Sequence, residues 1–233
     1  MRDQYAGDIS DYLKFALLRA LTEPGERLGL AWYFLDGHDG RPDGRHVEYL
    51  CEPGWRDLDP DLYDALGALP DRSVVQLEGM GVWPAGAQFH GAPVPGKRDR
   101  EAWRAGMSER LAGCSPLFID PDNGVSSPGV MTRKHATVGE VQALAAEGRS
   151  VVLIRFPGRT PHELQLTRHH ETFRTFVPVT LRTTIRVPNR SGRTSPRIRW
   201  FTLLNATPGR LERLDGYCQR LGAIPGCRAV IAH

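Results

Sequence analysis

Leu117-Phe118-Ile119-Asp120-Pro121-Asp122-Asn123-Gly124 is the stretch from which the rest of this chain can be read. Three apolar residues in a row, with Pro116 before them and turn-forming residues after, predict a short strand buried on both faces. The strand delivers two carboxylates and one amide into a tight turn. Pro121 fixes its own φ, and Gly124 permits a positive one. Two acids this close disfavour each other's charge, so their pKa values are expected to split. One then serves as a base while the other keeps its proton. The plainer alternative is that Asp-Pro and Asn-Gly only make the turn.

Working outward, residues 9–21 place apolar side chains at helical spacing, with Asp8 as N-cap and Pro24-Gly25 as terminator. Residues 28–35 form a nearly continuous apolar run, read as a second buried strand. A polar loop from Asp36 to His46 follows it. Residues 61–69 read as a short helix, Ser73–Leu77 as a short strand, and 79–96 as a loop rich in Gly and Pro. Residues 97–112 return to helical period through Trp103, Met107 and Leu111. Thr137-Val138-Gly139-Glu140 is a capping box that opens a helix to about Glu147. Ser150–Arg155 reads as a strand, and Pro161 as the first turn of a helix to about Phe176. Thr180–Val187 and Arg197–Leu204, joined by the turn-rich Pro188–Pro196, read as an antiparallel pair. A helix from Gly209 to Leu221 and a strand at Arg228–Ile231 complete the chain.

Strands alternating with helices imply an α/β fold, a Rossmann-like and mostly parallel sheet with helices on both faces. The antiparallel pair is expected at one edge. With no repeat, low-complexity tail or linker, residues 1–233 read as a single α/β domain. In such sheets ligands bind outside the carboxyl ends of the strands. The loops at Asp36–His46 and Asp120–Gly124 are therefore the suspects.

Composition sets bounds. With 233 residues, 40% of them apolar and 24% charged, the chain is an ordinary globular protein rather than a disordered one. No apolar run reaches the roughly 18 residues that span a bilayer, and no secretory h-region follows Met1. The chain therefore reads as cytoplasmic, without a membrane partner. Cys51, Cys114, Cys218 and Cys227 contain no Cys-x-x-Cys pair, so four free thiols are expected over a Cys218–Cys227 disulfide. The net charge of +3 decides nothing, but its distribution does. Acids crowd residues 36–64. Arginines crowd a later stretch, among them Arg155, Arg159, Arg186, Arg190, Arg193, Arg197 and Arg199, and point to a nucleic-acid backbone. A solvated surface is the competing reading.

Three other groups stand out. In Asp36-Gly37-His38-Asp39-Gly40-Arg41-Pro42-Asp43-Gly44-Arg45-His46 the glycines do not make a dinucleotide fingerprint. Asp36, Asp39, Arg41 and Arg45 suit a polar substrate loop better. A metal on His38, Asp39, Asp43 and His46 is a weaker alternative, and no metal is assigned. Near the start, Tyr5, Asp8, Asp11 and Lys14 are candidates for substrate binding. Asp11 and Lys14 lie three apart and share a helix face, so a capped, ion-paired helix explains them as well. Lys134 and His135 could ground a phosphate or supply a proton. No zinc-protease, nucleophile-elbow or phosphate-loop motif is present.

The opening Asp3-Gln4-Tyr5-Ala6-Gly7-Asp8-Ile9-Ser10-Asp11-Tyr12-Leu13-Lys14-Phe15, with the Asp-Gly-Arg-rich loop and Asp120–Gly124, resembles a bacterial family without an assigned activity. That resemblance runs to about Phe156. More remotely, Tyr5-Ala6-Gly7-Asp8…Asp11-Tyr12-Leu13-Lys14 and Asp120-Pro121 are similar to motifs of the ribosomal-RNA adenine-N6 methyltransferases. This implies a methyltransferase-like fold and a flipped base read at Asp120. The aromatic that stacks on the base in those enzymes is replaced here, and their glycine-rich S-adenosylmethionine loop is not intact at Asp36–Arg45.

A base pocket without the donor loop, and with a second acid, suits attack by water. The leading expectation is therefore a base-flipping hydrolase. It would be a DNA glycosylase that cleaves the N-glycosidic bond of a modified base without a cofactor, as glycosylases in phage defence do. Asp120 and Asp122 would carry the chemistry, and Asn123 would read the base. The partner is nucleic acid, DNA before RNA. The alternatives are a divergent S-adenosylmethionine-dependent adenine or cytosine amino-methyltransferase, a metal-dependent nuclease, and a non-catalytic nucleic-acid-binding module.

Overall fold

The computed structural model describes residues 1–38, 40, 46–127, 129–156, 158, 160–174, 179–187 and 197–232. In chain order its principal elements are α1 (Ile9–Leu21), β1 (Gly29–Ala31), α2 (Pro60–Gly67), α3 (Val74–Glu78), β2 (Gln88–His90), α4 (Arg100–Arg110), β3 (Leu117–Ile119), α5 (Val138–Ala145), β4 (Val151–Arg155), α6 (His162–Arg174), β5 (Val179–Val187), β6 (Arg197–Leu204), α7 (Pro208–Ala223) and β7 (Arg228–Ala232). The strands form one sheet in the order β2-β1-β3-β4-β6-β5-β7. β2, β1, β3 and β4 run parallel, and β6 turns antiparallel between β4 and β5. The expected fold class is therefore present, with β7 added outside the antiparallel pair.

Helices cover both faces, which is why the central strands are apolar at successive positions. Leu30, Phe118, Val152 and Ile154 pack on one face with residues of α1, α2, α3 and α7. Ala31, Ile119, Val151 and Leu153 pack on the other with residues of α4, α5 and α6. β1 lies between β2 and β3, so successive connections leave it in opposite directions. β1 leads to β2 on one side and β3 to β4 on the other, which puts a topological switch point, where such sheets open a crevice, at the carboxyl ends of β1 and β3.

Local expectations hold where side chains cap the helices. Asp8 accepts from the Ser10 and Asp11 amides, and the Thr137–Glu140 capping box is formed on both sides. Ser73–Leu77 is a correction. It is helical, because Ser73 accepts from the Gln76 amide and Asp3 Oδ1 accepts from the Val74 amide, 2.8 Å away. Those two side chains satisfy helix-end donors that a strand would not present. The apolar run 28–35 holds only a three-residue strand. Past it, the chain turns at Tyr33, whose φ is +47° although it is not glycine. The loop expected over 79–96 contains the short edge strand β2. All four cysteines are free thiols. The turn 188–196 lies outside the described residues.

Candidate functional site

Lys14 is where α1 meets the loop after β3. Its Nζ lies 2.5 Å from Asp11 Oδ1, one helical turn away, and 2.8 Å from Asp120 Oδ2. All three side chains are almost fully buried, at 3%, 2% and 6% exposure. Asp11 also accepts from the Gly7 amide at 2.8 Å. Burial raises the Asp11 pKa to about 7, with Asp8 and Asp120 adding to the rise and Lys14 opposing it. Burial works against the Lys14 ammonium. Asp11 and Asp120 outweigh it and hold its pKa above the ordinary lysine value. Lys14 is therefore a charged clamp, not a neutral nucleophile.

The Asp120 amide donates to Ala31 O at 3.0 Å, which fixes the loop to the end of β1. Only Oδ2 of its carboxylate is engaged. Among the described residues no hydrogen bond reaches Oδ1. One oxygen is pinned by Lys14, and the other takes no hydrogen bond from the described residues. Asp122 points elsewhere. Its Oδ1 is 2.8 Å from the Met1 nitrogen, and its Oδ2 is 3.7 Å from Arg2 Nε. The expected Asp120–Asp122 carboxylate pair is thus corrected. Asp120 shares a cation with Asp11, and the acid pushed up is Asp11. The pairing joins residues 106 positions apart, which periodicity cannot reveal.

The turn itself is held by the segment before α5. The Asn123 amide donates to Lys134 O at 2.9 Å, Ala136 N to Gly124 O at 3.0 Å, and Ser126 N to Ala136 O at 2.8 Å. Gly124 has φ +75°, and a Cβ there would sit 3.3 Å from Arg155 Cγ, so glycine is needed for both conformation and space. The Asn123 and Lys134 side chains are exposed. His135 is half-buried, and its Nδ1 lies 2.6 Å from Thr132 Oγ1. Burial lowers the His135 pKa, with Arg155 and Lys134 contributing, which sets these basic groups near one another. Burial also lowers that of Arg155.

The other expected residues divide. Asp8 is buried and spent on the helix cap. Tyr5 packs, half-buried, against the core on the α1 face. Asp36 is exposed, and its carbonyl, with that of Gly37, accepts from Arg2 Nη1 at 2.8 Å. Asp39, Arg41, Arg45, Arg159, Arg190 and Arg193 lie outside the described residues. Arg186 and Arg197 belong to the described backbone of β5 and β6, with side chains outside it. Arg199 is a correction to the surface reading. It is 2% exposed, and its Nε and Nη2 donate to Ser10 Oγ.

A buried support escaped the sequence reading. Arg100 Nε lies 2.6 Å from Glu140 Oε1, and its Nη2 donates to Glu140 Oε2 at 3.0 Å and to His135 O at 2.9 Å. The Tyr33 hydroxyl donates to Glu140 Oε2 at 3.1 Å. The Arg100 guanidinium also lies over the Tyr33 and Trp103 rings. The capping box pointed to Glu140 as a helix-start residue only. The network ties the strained end of β1 to the segment that clasps Asn123.

No protein-family model matches the chain, and no curated protein matches it. Its structure is similar to the crystal structure of protein LPL1258 from Legionella pneumophila str. Philadelphia 1, of family model DUF519. The TM-score is 0.55 and the identity 10%, over 97% of each chain. At that identity the likeness shows a shared fold. Among the described residues no helix is long and apolar enough to cross a membrane.

Proposed function

We propose that this chain is a nucleic-acid enzyme that takes an extruded base at the switch-point crevice and hydrolyses its N-glycosidic bond, with DNA as substrate. The observation that carries the reading is the half-engaged Asp120 carboxylate. Lys14 pins Oδ2 and leaves Oδ1 without a hydrogen bond from the described residues, at the carboxyl end of a central strand. As the bond from C1′ to the base nitrogen breaks, its electron pair leaves with the base and positive charge develops on the sugar. A fixed anion stabilises that charge. Water then bonds C1′ and gives up a proton, and the base takes one. Oδ1 of Asp120 would orient that water. Asn123, exposed at the rim, offers both a donor and an acceptor to a base edge. Lys134 and Arg155 supply positive charge for the backbone.

Methyl transfer would need room for S-adenosylmethionine at the same crevice. The Met1 nitrogen lies 3.2 Å from both Tyr33 O and Asp120 O, and Arg2 occupies the carbonyls of Asp36 and Gly37. Those contacts engage backbone carbonyls beside the end of β1, where the donor would lie, and they favour a reaction with water.

The test is mass spectrometry after incubating the protein with unmodified and base-modified DNA, with and without S-adenosylmethionine. Free base is expected without cofactor, with a loss of about 10²–10³ in rate for Asp120→Asn. A gain of one methyl group only when the donor is added would overturn hydrolysis in favour of the amino-methyltransferase. No product from DNA or RNA would leave a binding module.

A further inference from the structure

An aromatic side chain able to stack on the extruded base lies one strand away from Asp120. Phe156 follows β4 directly and is 45% exposed, one of the few large apolar side chains open to solvent among the described residues. An extruded base loses its neighbours in the stack and regains stability by lying against an aromatic face. The turn after β3 carries no aromatic ring, since Pro121, Asp122, Asn123 and Gly124 complete it.

Register and alternation place Phe156 on the correct side. Ile119 pairs with Leu153, which sets Asp120 level with Ile154. Val152 and Ile154 pack on the face that holds α1, while Val151 and Leu153 pack on the other. β4 ends at Arg155, and its alternation carried one residue further puts Phe156, two positions past Ile154, on the α1 face. Asp120 lies on that face too, as its bond to Lys14 shows. Two residues of rise and one strand spacing separate the two positions by on the order of 8 Å between Cα atoms. That gap suits a base whose edge meets Asp120 while its ring lies on Phe156. The preceding residue, Arg155, faces the opposite way, with its stem against Gly124.

We propose that Phe156 is the stacking platform for the extruded base and so selects a planar, uncrowded heterocycle. The assignment rests on the base-flipping reading above. The test uses single-stranded DNA with one 2-aminopurine and matched DNA with an abasic analogue at that position. Binding and fluorescence are followed for the unaltered chain, Phe156→Ala, Phe156→Leu and Phe156→Trp. The expected result is that Ala and Leu weaken binding of the 2-aminopurine strand by about ten- to a hundredfold. They should leave binding of the abasic strand unchanged, and Trp should retain the tighter binding. Thermal melting of each variant reports the fold, which an exposed side chain should hardly affect. Equal losses on both strands, or no loss on either while the unaltered chain binds, would overturn Phe156 and leave the base-flipping reading standing. No binding of any strand by the unaltered chain would overturn both.

Discussion

The segment after β1 and the segment after β3 leave the same edge of the sheet from adjacent strands, and they differ in burial. After β3, Pro121 and Gly124 are buried and the backbone is clasped by residues 134–136. The Asp120 carboxylate is pinned by Lys14. After β1, Asp36, Gly37 and His38 are exposed, and Gly37 and Gly40 have positive φ with no atom within 4 Å of a Cβ built on them. Local sequence marks both loops alike, as polar, glycine-bearing turns after an apolar strand. The difference comes from partners distant in sequence. Precise chemistry needs the fixed loop, and the open one suits recognition of a variable ligand.

The sharpest way to break this contrast is to remove the clamp. Lys14→Ala leaves Asp11 and Asp120 buried without their cation, and unfolding by urea should show a loss of about 3–5 kcal/mol. A loss below about 1 kcal/mol would mean that the site is far less dry than its burial implies.

A second measurement sharpens the same cluster through pH. The Asp11 pKa is raised from 3.8 to about 7, so the folded chain holds this proton more tightly than the unfolded chain does. Its contribution to stability is full below about pH 4 and is lost as pH rises through about 7. Asp11→Asn should therefore flatten the fall in melting temperature between those values. An unchanged slope would remove Asp11 as its source.

Glycine substitutions then compare the two loops directly. Gly124→Ala meets both a positive φ and the Arg155 stem at 3.3 Å, and should cost about 1–3 kcal/mol. Gly37→Ala meets the positive φ alone and should sit at the lower end, about 1–2 kcal/mol. Equal costs in denaturant titrations would show that packing does not distinguish the loops. Smallest of all, Asp36→Ala should change stability by less than about 0.5 kcal/mol, because its side chain is exposed.

The sheet was legible because both faces of its central strands are covered, which leaves uninterrupted apolar runs such as Leu117–Ile119 and Val151–Ile154. Asp8 and the Thr137–Glu140 box were legible because capping is local. Ser73–Leu77 was not, since the paired Val74 and Val75 favour a strand and one of the side chains that caps the helix, Asp3, lies 71 residues away. Within the site, spacing showed that Asp11 and Lys14 share a helix face. It could not show that the face is buried, or that Lys14 reaches Asp120. The Arg100–Glu140–Tyr33 network was invisible for the same reason, with partners 40 and 107 residues apart.

Glu140 receives hydrogen bonds from the Thr137 amide, the Arg100 guanidinium and the Tyr33 hydroxyl, which come from three separate stretches of chain. In evolutionary terms that makes position 140 hard to vary by itself. Any single replacement strands a buried cation, a phenol and a helix-end amide together. Across related sequences, positions 33, 100 and 140 should therefore be inherited as a set, drifting together or staying fixed, while the exposed residues around Asp36 diverge freely.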